Sequence, residues 1–160
     1  AEFLRENGAR DGVVQLKRGL QYKVLRPGAG SIRPGSEDIC TVHYRGSTID
    51  CEIQSGPEPC RGGFVFDDSW EKGRNVTFTP KSAGSFWALA LPLMVRGALW
   101  ELYVPQVLGF AGNDNPDRRP RGVGPNATLI FKVELLAIKG KDDAPLGEGR
   151  DPEAGPGVEL

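Results

Sequence analysis

The stretch EDICTVHYRGSTID, residues 37–50, decides the reading of the fold: Cys40, Val42 and Tyr44 fall on one face of an extended chain, Thr41, His43 and Arg45 on the other. Such alternation describes a half-buried antiparallel strand. Toward the N-terminus, GLQYKVLRPGAG (19–30) alternates in the same way until Pro27 and Gly28 mark a turn. Toward the C-terminus, FVFDDSW (64–70) and NVTFTP (75–80) supply two short strand-like pieces, and ALWELYVPQVLGF (98–110) alternates again until Pro105. ATLIFKVELLAI (127–138) reads as the buried closing strand. The internal helix expected from the pattern runs from Ser85 to Leu91, with Ser85 as N-cap and Pro92 ending it. Residues 1–12 form an arm, helical until Gly8, and AGNDNPDRRPRGVGPN (111–126) is a turn-rich loop. Many strands, one short helix and two long loops imply an α+β fold: a curved antiparallel β-sheet wrapped around one short α-helix, with no room for a nucleotide-binding βαβ unit.

A chain of 160 residues with 39% hydrophobic composition suffices for one domain with a proper core, expected over residues 13–139. Net charge is −1, and no basic stripe studded with aromatics is present, so no nucleic-acid partner is expected. The charge is unevenly placed. Residues 140–160, rich in Gly and Pro, carry net −4 and leave net +3 on residues 1–139. The longest apolar run, FWALALPLMV (86–95), falls well short of the ~20 residues that span a bilayer and contains Pro92, so the chain is not expected to cross a membrane by itself. It begins AEFLREN, without Met and without a charged-then-apolar leader, as expected of a processed or shortened product.

The three cysteines and the single His43 lack metal-ligand spacing, so neither a metal nor a cofactor is expected. Cys51 and Cys60 bracket EIQSGPEP, a stretch able to bring its ends together. A disulfide there would add roughly 2–3 kcal/mol and place the chain in an oxidising compartment. The other reading is two free thiols in a loop. Cys40, on the core face of its strand, is expected to stay reduced.

The segments GLQYKVLRPGAG, TVHYRGSTID, FDDSW, LYVP and PNATLIFKVELLAI stand in the order found in the FKBP family of peptidyl-prolyl cis-trans isomerases, which the chain resembles over roughly residues 13–139. FLRENGARDGVVQLKRGLQYKVL (3–25) is similar to the matching segment of Mip-type members and their organelle relatives. The resemblance implies an apolar pocket that binds a twisted X-Pro amide better than a planar one, with no nucleophile. Carried over position by position, its residues are Tyr44 on the inward face of its strand, Phe66 and Asp67 as the family's Phe-Asp pair, Trp87 as the floor and Phe131 on the last strand.

Departures from the family pattern imply weaker binding. Phe110 stands where the family has a Tyr that donates to a ligand carbonyl, and Ala83-Gly84 replaces a Val-Ile pair at the helix entrance. Lys72 replaces an Arg that pairs with the Asp, and a point-charge ammonium cannot reproduce a planar fork. In the basic loop after Phe110, Val123 is the apolar residue left to cover a proline ring. Two functions follow as expectations. The first is a peptidyl-prolyl isomerase of reduced activity acting on proline-containing clients. The second is a weak or inactive FKBP-fold subunit, docked by an inserted loop (51–63) and the acidic tail (141–160) onto a larger complex, such as a membrane-embedded photosynthetic or respiratory one. Relatives and cysteines favour an exported protein or one of an organelle lumen, with periplasm or thylakoid lumen ahead of cytosol.

Overall fold

The computed structural model describes residues 2–49, 63, 65–109, 123 and 127–141. Seven strands form one antiparallel sheet: β1 (Val13–Gln15), β2 (Gln21–Arg26), β3 (Cys40–Thr48), β4 (Val65–Asp68), β5 (Val76–Phe78), β6 (Leu99–Val104) and β7 (Leu129–Ile138). Their order is β1-β2-β6-β7-β3-β4, and β5 pairs with the first residues of β3 while β4 pairs with its later ones. The closing strand thus lies centrally, paired with β3 from Leu129 to Ile138 on one side and with β6 from Leu129 to Glu134 on the other. Its alternating Leu129, Phe131, Val133 and Leu135 are buried, and the pattern slips at a bulge opposite the Thr41–Val42 step, after which Ile138 enters the core.

Against the inner face of the sheet lies the helix α4 (Ser85–Ala90), continued by a 3₁₀ turn over Leu91–Leu93 that takes in Pro92. Phe86, Ala90, Leu91 and Met94 are buried there with Val42, Leu102 and Phe131. The α+β fold expected from the sequence is therefore the one present, an open antiparallel sheet curved over a short helix.

Ser85 is not the N-cap. That position is Gly84, with φ at 64°, and Ser85 follows as the first helical residue with φ at 52°, its hydroxyl donating to the carbonyl of Leu108. A left-handed Gly-Ser step turns the chain sharply into the helix, which a side chain at residue 84 would strain.

Two four-residue helices also lie outside the sequence reading. In α2 (Ser69–Lys72) the carboxylate of Asp68 accepts from the amides of Trp70 at 3.0 Å and Glu71 at 3.2 Å. In α3 (Pro80–Ala83), Thr79 and Ser82 cap each other reciprocally, with Pro80 at the first position. Caps alone create such short helices, because one turn has too little length to show periodicity.

The arm is docked rather than trailing. Its helix α1 (Glu2–Gly8) buries Asn7, whose amide donates to Gln21 on β2 at 2.9 Å, while Gln21 donates to the Leu4 carbonyl at 2.8 Å. On the same outer side of the sheet, His43, Glu134, Asp68 and Ser69 are all buried. They are buried polar groups with partners: His43 Nδ1 lies 2.7 Å from Ser69 Oγ, Arg26 pairs with Glu134, and Arg45 Nε donates to Asp68 at 2.8 Å.

Candidate active site

Tyr44, Phe66, Asp67, Trp87 and Phe131 converge on one cavity of about 550 Å³ on the inner side of the sheet. Four elements place them. Tyr44 comes from β3, Phe66 and Asp67 from the edge strand β4, Trp87 from α4 and Phe131 from β7. Four rings form an edge-to-face cage: Tyr44 to Trp87 at 5.8 Å, Phe66 to Phe131 at 5.7 Å, and Trp87 to Phe131 at 6.0 Å between centroids. Such tilted contacts set the negative face of one ring against the positive edge of the next, which holds the cage rigid.

Asp67 stands at the rim. One carboxylate oxygen accepts from Lys72 Nζ at 2.7 Å, and the other accepts a short hydrogen bond from the hydroxyl of Tyr44. Partial burial alone would raise its pKa, but these two donors outweigh that and hold it below the usual carboxylate range. Burial, then the neighbouring Asp67 charge, pushes the Tyr44 hydroxyl well above the ordinary phenol range. At neutral pH the pair is thus a fixed phenol donor and a fixed carboxylate.

The substitution of Lys72 for Arg was expected to leave Asp67 loosely held. In the structure the ammonium does reach it, and Tyr44 holds the other oxygen. What the ammonium does not supply is a planar fork, and with 58% of the Lys72 side chain exposed the ion pair contributes little by itself. Below this corner, Ser69 Oγ accepts the Tyr44 amide N–H at 2.8 Å while contacting His43, so α2 is tied to β3 immediately beside Asp67.

Several lining residues were not anticipated. Phe78 on β5 packs on Trp87 at 4.9 Å, and Phe86 sits 4.7 Å from Phe131; both line the cavity with Val76, Leu108 and Leu129. Val76 and Phe78 share a face of NVTFTP, so the alternation in that segment was the available signal. Gly46 is the second omission. A Cβ there would come within 2.7 Å of Phe66 and 2.8 Å of Phe131, so any side chain at this position would force a ring to shift. Its isolated place inside a strand pattern was the clue.

Ala83 lines the cavity, and Gly84 donates its amide to the Pro80 carbonyl at 3.0 Å, inside the turn rather than toward the cup. Val123, in the loop expected to cover a proline ring, is 3% exposed and packs with the core. Phe110, Cys51, Cys60, the rest of the insertion except Gly63, and the tail beyond Lys141 lie outside the described residues. Cys40 is buried, its thiol 3.6 Å from the Asp38 carbonyl oxygen.

The comparisons with known proteins agree with this geometry. The model of the FKBP-type peptidyl-prolyl cis-trans isomerase family matches residues 30–136, and that of the domain amino-terminal to it matches residues 1–24. The chain is 40% identical over 139 residues to the peptidyl-prolyl cis-trans isomerase Mip of Coxiella burnetii, covering 87% of this chain and 53% of that protein. It is 37% identical over 137 residues to the outer membrane protein MIP of Legionella longbeachae, covering 86% and 52%. The chain thus spans about half the length of these curated relatives. Among solved structures, FkpA from Escherichia coli superposes with a TM-score of 0.69 at 28% identity, over 86% of this chain and 56% of that one. A peptidyl-prolyl cis-trans isomerase from Pseudomonas syringae gives 0.67 at 28% identity, over 86% and 88%. With an open sheet curved over a short helix, an aromatic cup at the helix and a family model matched across both, the chain belongs to the FKBP-type peptidyl-prolyl cis-trans isomerase family.

Proposed function

We propose that the chain catalyses cis-trans isomerisation of X-Pro bonds in proline-containing protein segments, the prolyl ring seated between Tyr44, Phe66, Trp87 and Phe131. The observation that carries this reading is the cup itself: an apolar, ring-lined cavity of about 550 Å³ whose one carboxylate is held at the rim by Tyr44 and Lys72. An X-Pro bond is held by amide resonance behind a barrier of about 18–20 kcal/mol, and the planar ground state is the more polar, better hydrated form. Moving it into a dry ring-lined site weakens that hydration, while the twisted form, with its resonance broken, loses less. The cage rigidity keeps the site open without reorganisation. No bond to the protein forms, and the Tyr44-Asp67 pair shapes the wall without passing a proton.

The rate is expected to be lower than in a member with an apolar pair at the helix entrance, because Ala83 and Gly84 offer the substrate less surface there, at about 25 cal/mol per Å². We further propose that the protein is exported, a reading supported by the relative named as an outer membrane protein. No observation favours the docked-subunit reading. The test is exchange between cis and trans forms of a short X-Pro peptide in the presence of the whole chain. Acceleration that disappears in Trp87→Leu supports the assignment, and unchanged exchange with the intact chain refutes it.

A further inference from the structure

Much of the cup's wall belongs to the sheet, so strand pairing fixes Tyr44, Phe66, Val76 and Phe131 relative to one another. The rest of the wall has no such ladder. It is made by two pieces outside the sheet: the stretch from Ser82 to Trp87, where α3 passes into α4, and Leu108 with Gly109, at the end of a 3₁₀ turn over Gln106–Leu108. Each piece is hydrogen-bonded within itself. Gly84 donates to the Pro80 carbonyl and Ala88 to the Gly84 carbonyl on one, while Leu108 donates to the Pro105 carbonyl at 2.9 Å and Gly109 to the Gln106 carbonyl at 3.0 Å on the other. The hydroxyl of Ser85 joins the two, donating to the Leu108 carbonyl 23 residues away in sequence.

Ser85 makes this bond from a backbone that suits another residue. Its φ of 52° lies in the left-handed region, where a Cβ crowds the following carbonyl and glycine alone is free of strain. The turn itself is therefore served by glycine at residue 85 as well as at residue 84, where φ is 64°. What serine adds over glycine is a hydroxyl, and that hydroxyl reaches a carbonyl at the end of a helical turn, where intrahelical donors have run out. Both residues so tied line the cavity. We infer that Ser85 is a positioning residue for X-Pro isomerisation, a latch whose hydroxyl fixes the gap between the start of α4 and the turn carrying Leu108; the inference rests on the isomerase reading above. A prolyl ring seated among the four rings is gripped alike in the planar and twisted forms, whereas the carbonyl that swings about the X-Pro bond meets whatever borders the ring. A wall held at one distance can favour the swung position, and a slack one cannot. Ser85 forms no bond to substrate and passes no proton.

The test sets Ser85→Gly beside Ser85→Ala in the whole chain. Glycine removes the hydroxyl and the strain together, whereas alanine removes the hydroxyl and keeps the strain. In denaturant unfolding Ser85→Gly should therefore be the more stable of the two. The Leu108 carbonyl carbon resonance should move in both, which reports the lost bond. Exchange of a short X-Pro peptide should fall by about two- to tenfold in both, the range that one hydrogen bond supplies, through kcat with KM little changed. A serine that served only the fold would make activity follow stability. Exchange by Ser85→Gly as fast as by the unaltered chain, with the Leu108 resonance moved, overturns the inference and leaves the isomerase reading standing. A Leu108 resonance that stays in place in both variants overturns it too, since the bond is then not made in solution, and so does a loss carried by KM alone. No acceleration by the unaltered chain refutes the isomerase reading and this inference together.

Discussion

On its inner face β7 presents Phe131 to a cage of rings; one residue on, its outer face presents Lys132 to a charged groove. The same contrast repeats along β3 with Tyr44 and Arg45 and along β4 with Phe66 and Val65. Each face also holds one phenol donating to one carboxylate, Tyr44 to Asp67 inside and Tyr103 to Glu101 outside. The pleat thus builds two surfaces of opposite chemistry from alternate residues of shared strands. Inside, stability and function both rest on packed rings, whereas the outer groove is lined by partly exposed charges such as Lys132, which contribute little individually, next to the buried and partnered Asp68, Ser69 and Glu134.

That contrast is broken most forcefully at adjacent residues of β7. Phe131→Ala should cost about 3–5 kcal/mol in denaturant unfolding, since it empties the junction of Tyr44, Phe66, Phe86 and Trp87. Lys132→Ala should cost under about 1 kcal/mol. Comparable losses at the two positions would mean that the outer face is a second core.

Gly46→Ala comes next, with an expected loss of about 1–3 kcal/mol and a fall in X-Pro exchange, because the added methyl meets the rings of Phe66 and Phe131 and must push them apart. A stable Gly46→Ala chain with unchanged exchange would show that the two rings can part without consequence. Tyr44→Phe should cost less, about 1–2 kcal/mol, by removing one of two donors to Asp67.

The smallest effects come from pH. Asp67 has a folded pKa depressed below its unfolded value of about 4, so its contribution is present above that pH and is lost as pH falls through the lower folded value. Tyr44 and Tyr103 have folded pKa values raised above about 10, so their contribution is complete below that pH and is lost as pH rises beyond it. Between pH 5 and 9 these three groups should leave unfolding free energy flat. A slope in that window, absent from Tyr44→Phe, would show that the pair titrates and is not fixed.

Period-2 alternation made β2, β3, β6 and β7 legible, because each has one face against the core. The five cup residues described here were legible only through family resemblance, since nothing in Phe66 or Trp87 taken alone separates a pocket ring from a core ring. What escaped was set by contacts far apart in sequence. Gly46 is decided by two rings 20 and 85 residues away, and Phe86 by the turn of α4 that aims it at Phe131. α2 and α3 escaped because caps, not periodicity, create them. His43 lies on the face opposite the core, yet Trp70 stacks over it and α2 covers it, a tertiary effect that alternation cannot report.

The most direct measurement is the exchange rate of an X-Pro peptide, followed by magnetisation transfer, with the whole chain, Trp87→Leu and Lys132→Ala compared at equal concentration. If the ring cup carries the activity, the whole chain and Lys132→Ala should accelerate exchange alike, while Trp87→Leu falls by about tenfold or more, equivalent to about 1.4 kcal/mol of lost transition-state binding. A folded Trp87→Leu chain as fast as the unaltered one, or no acceleration by the unaltered chain, would contradict it.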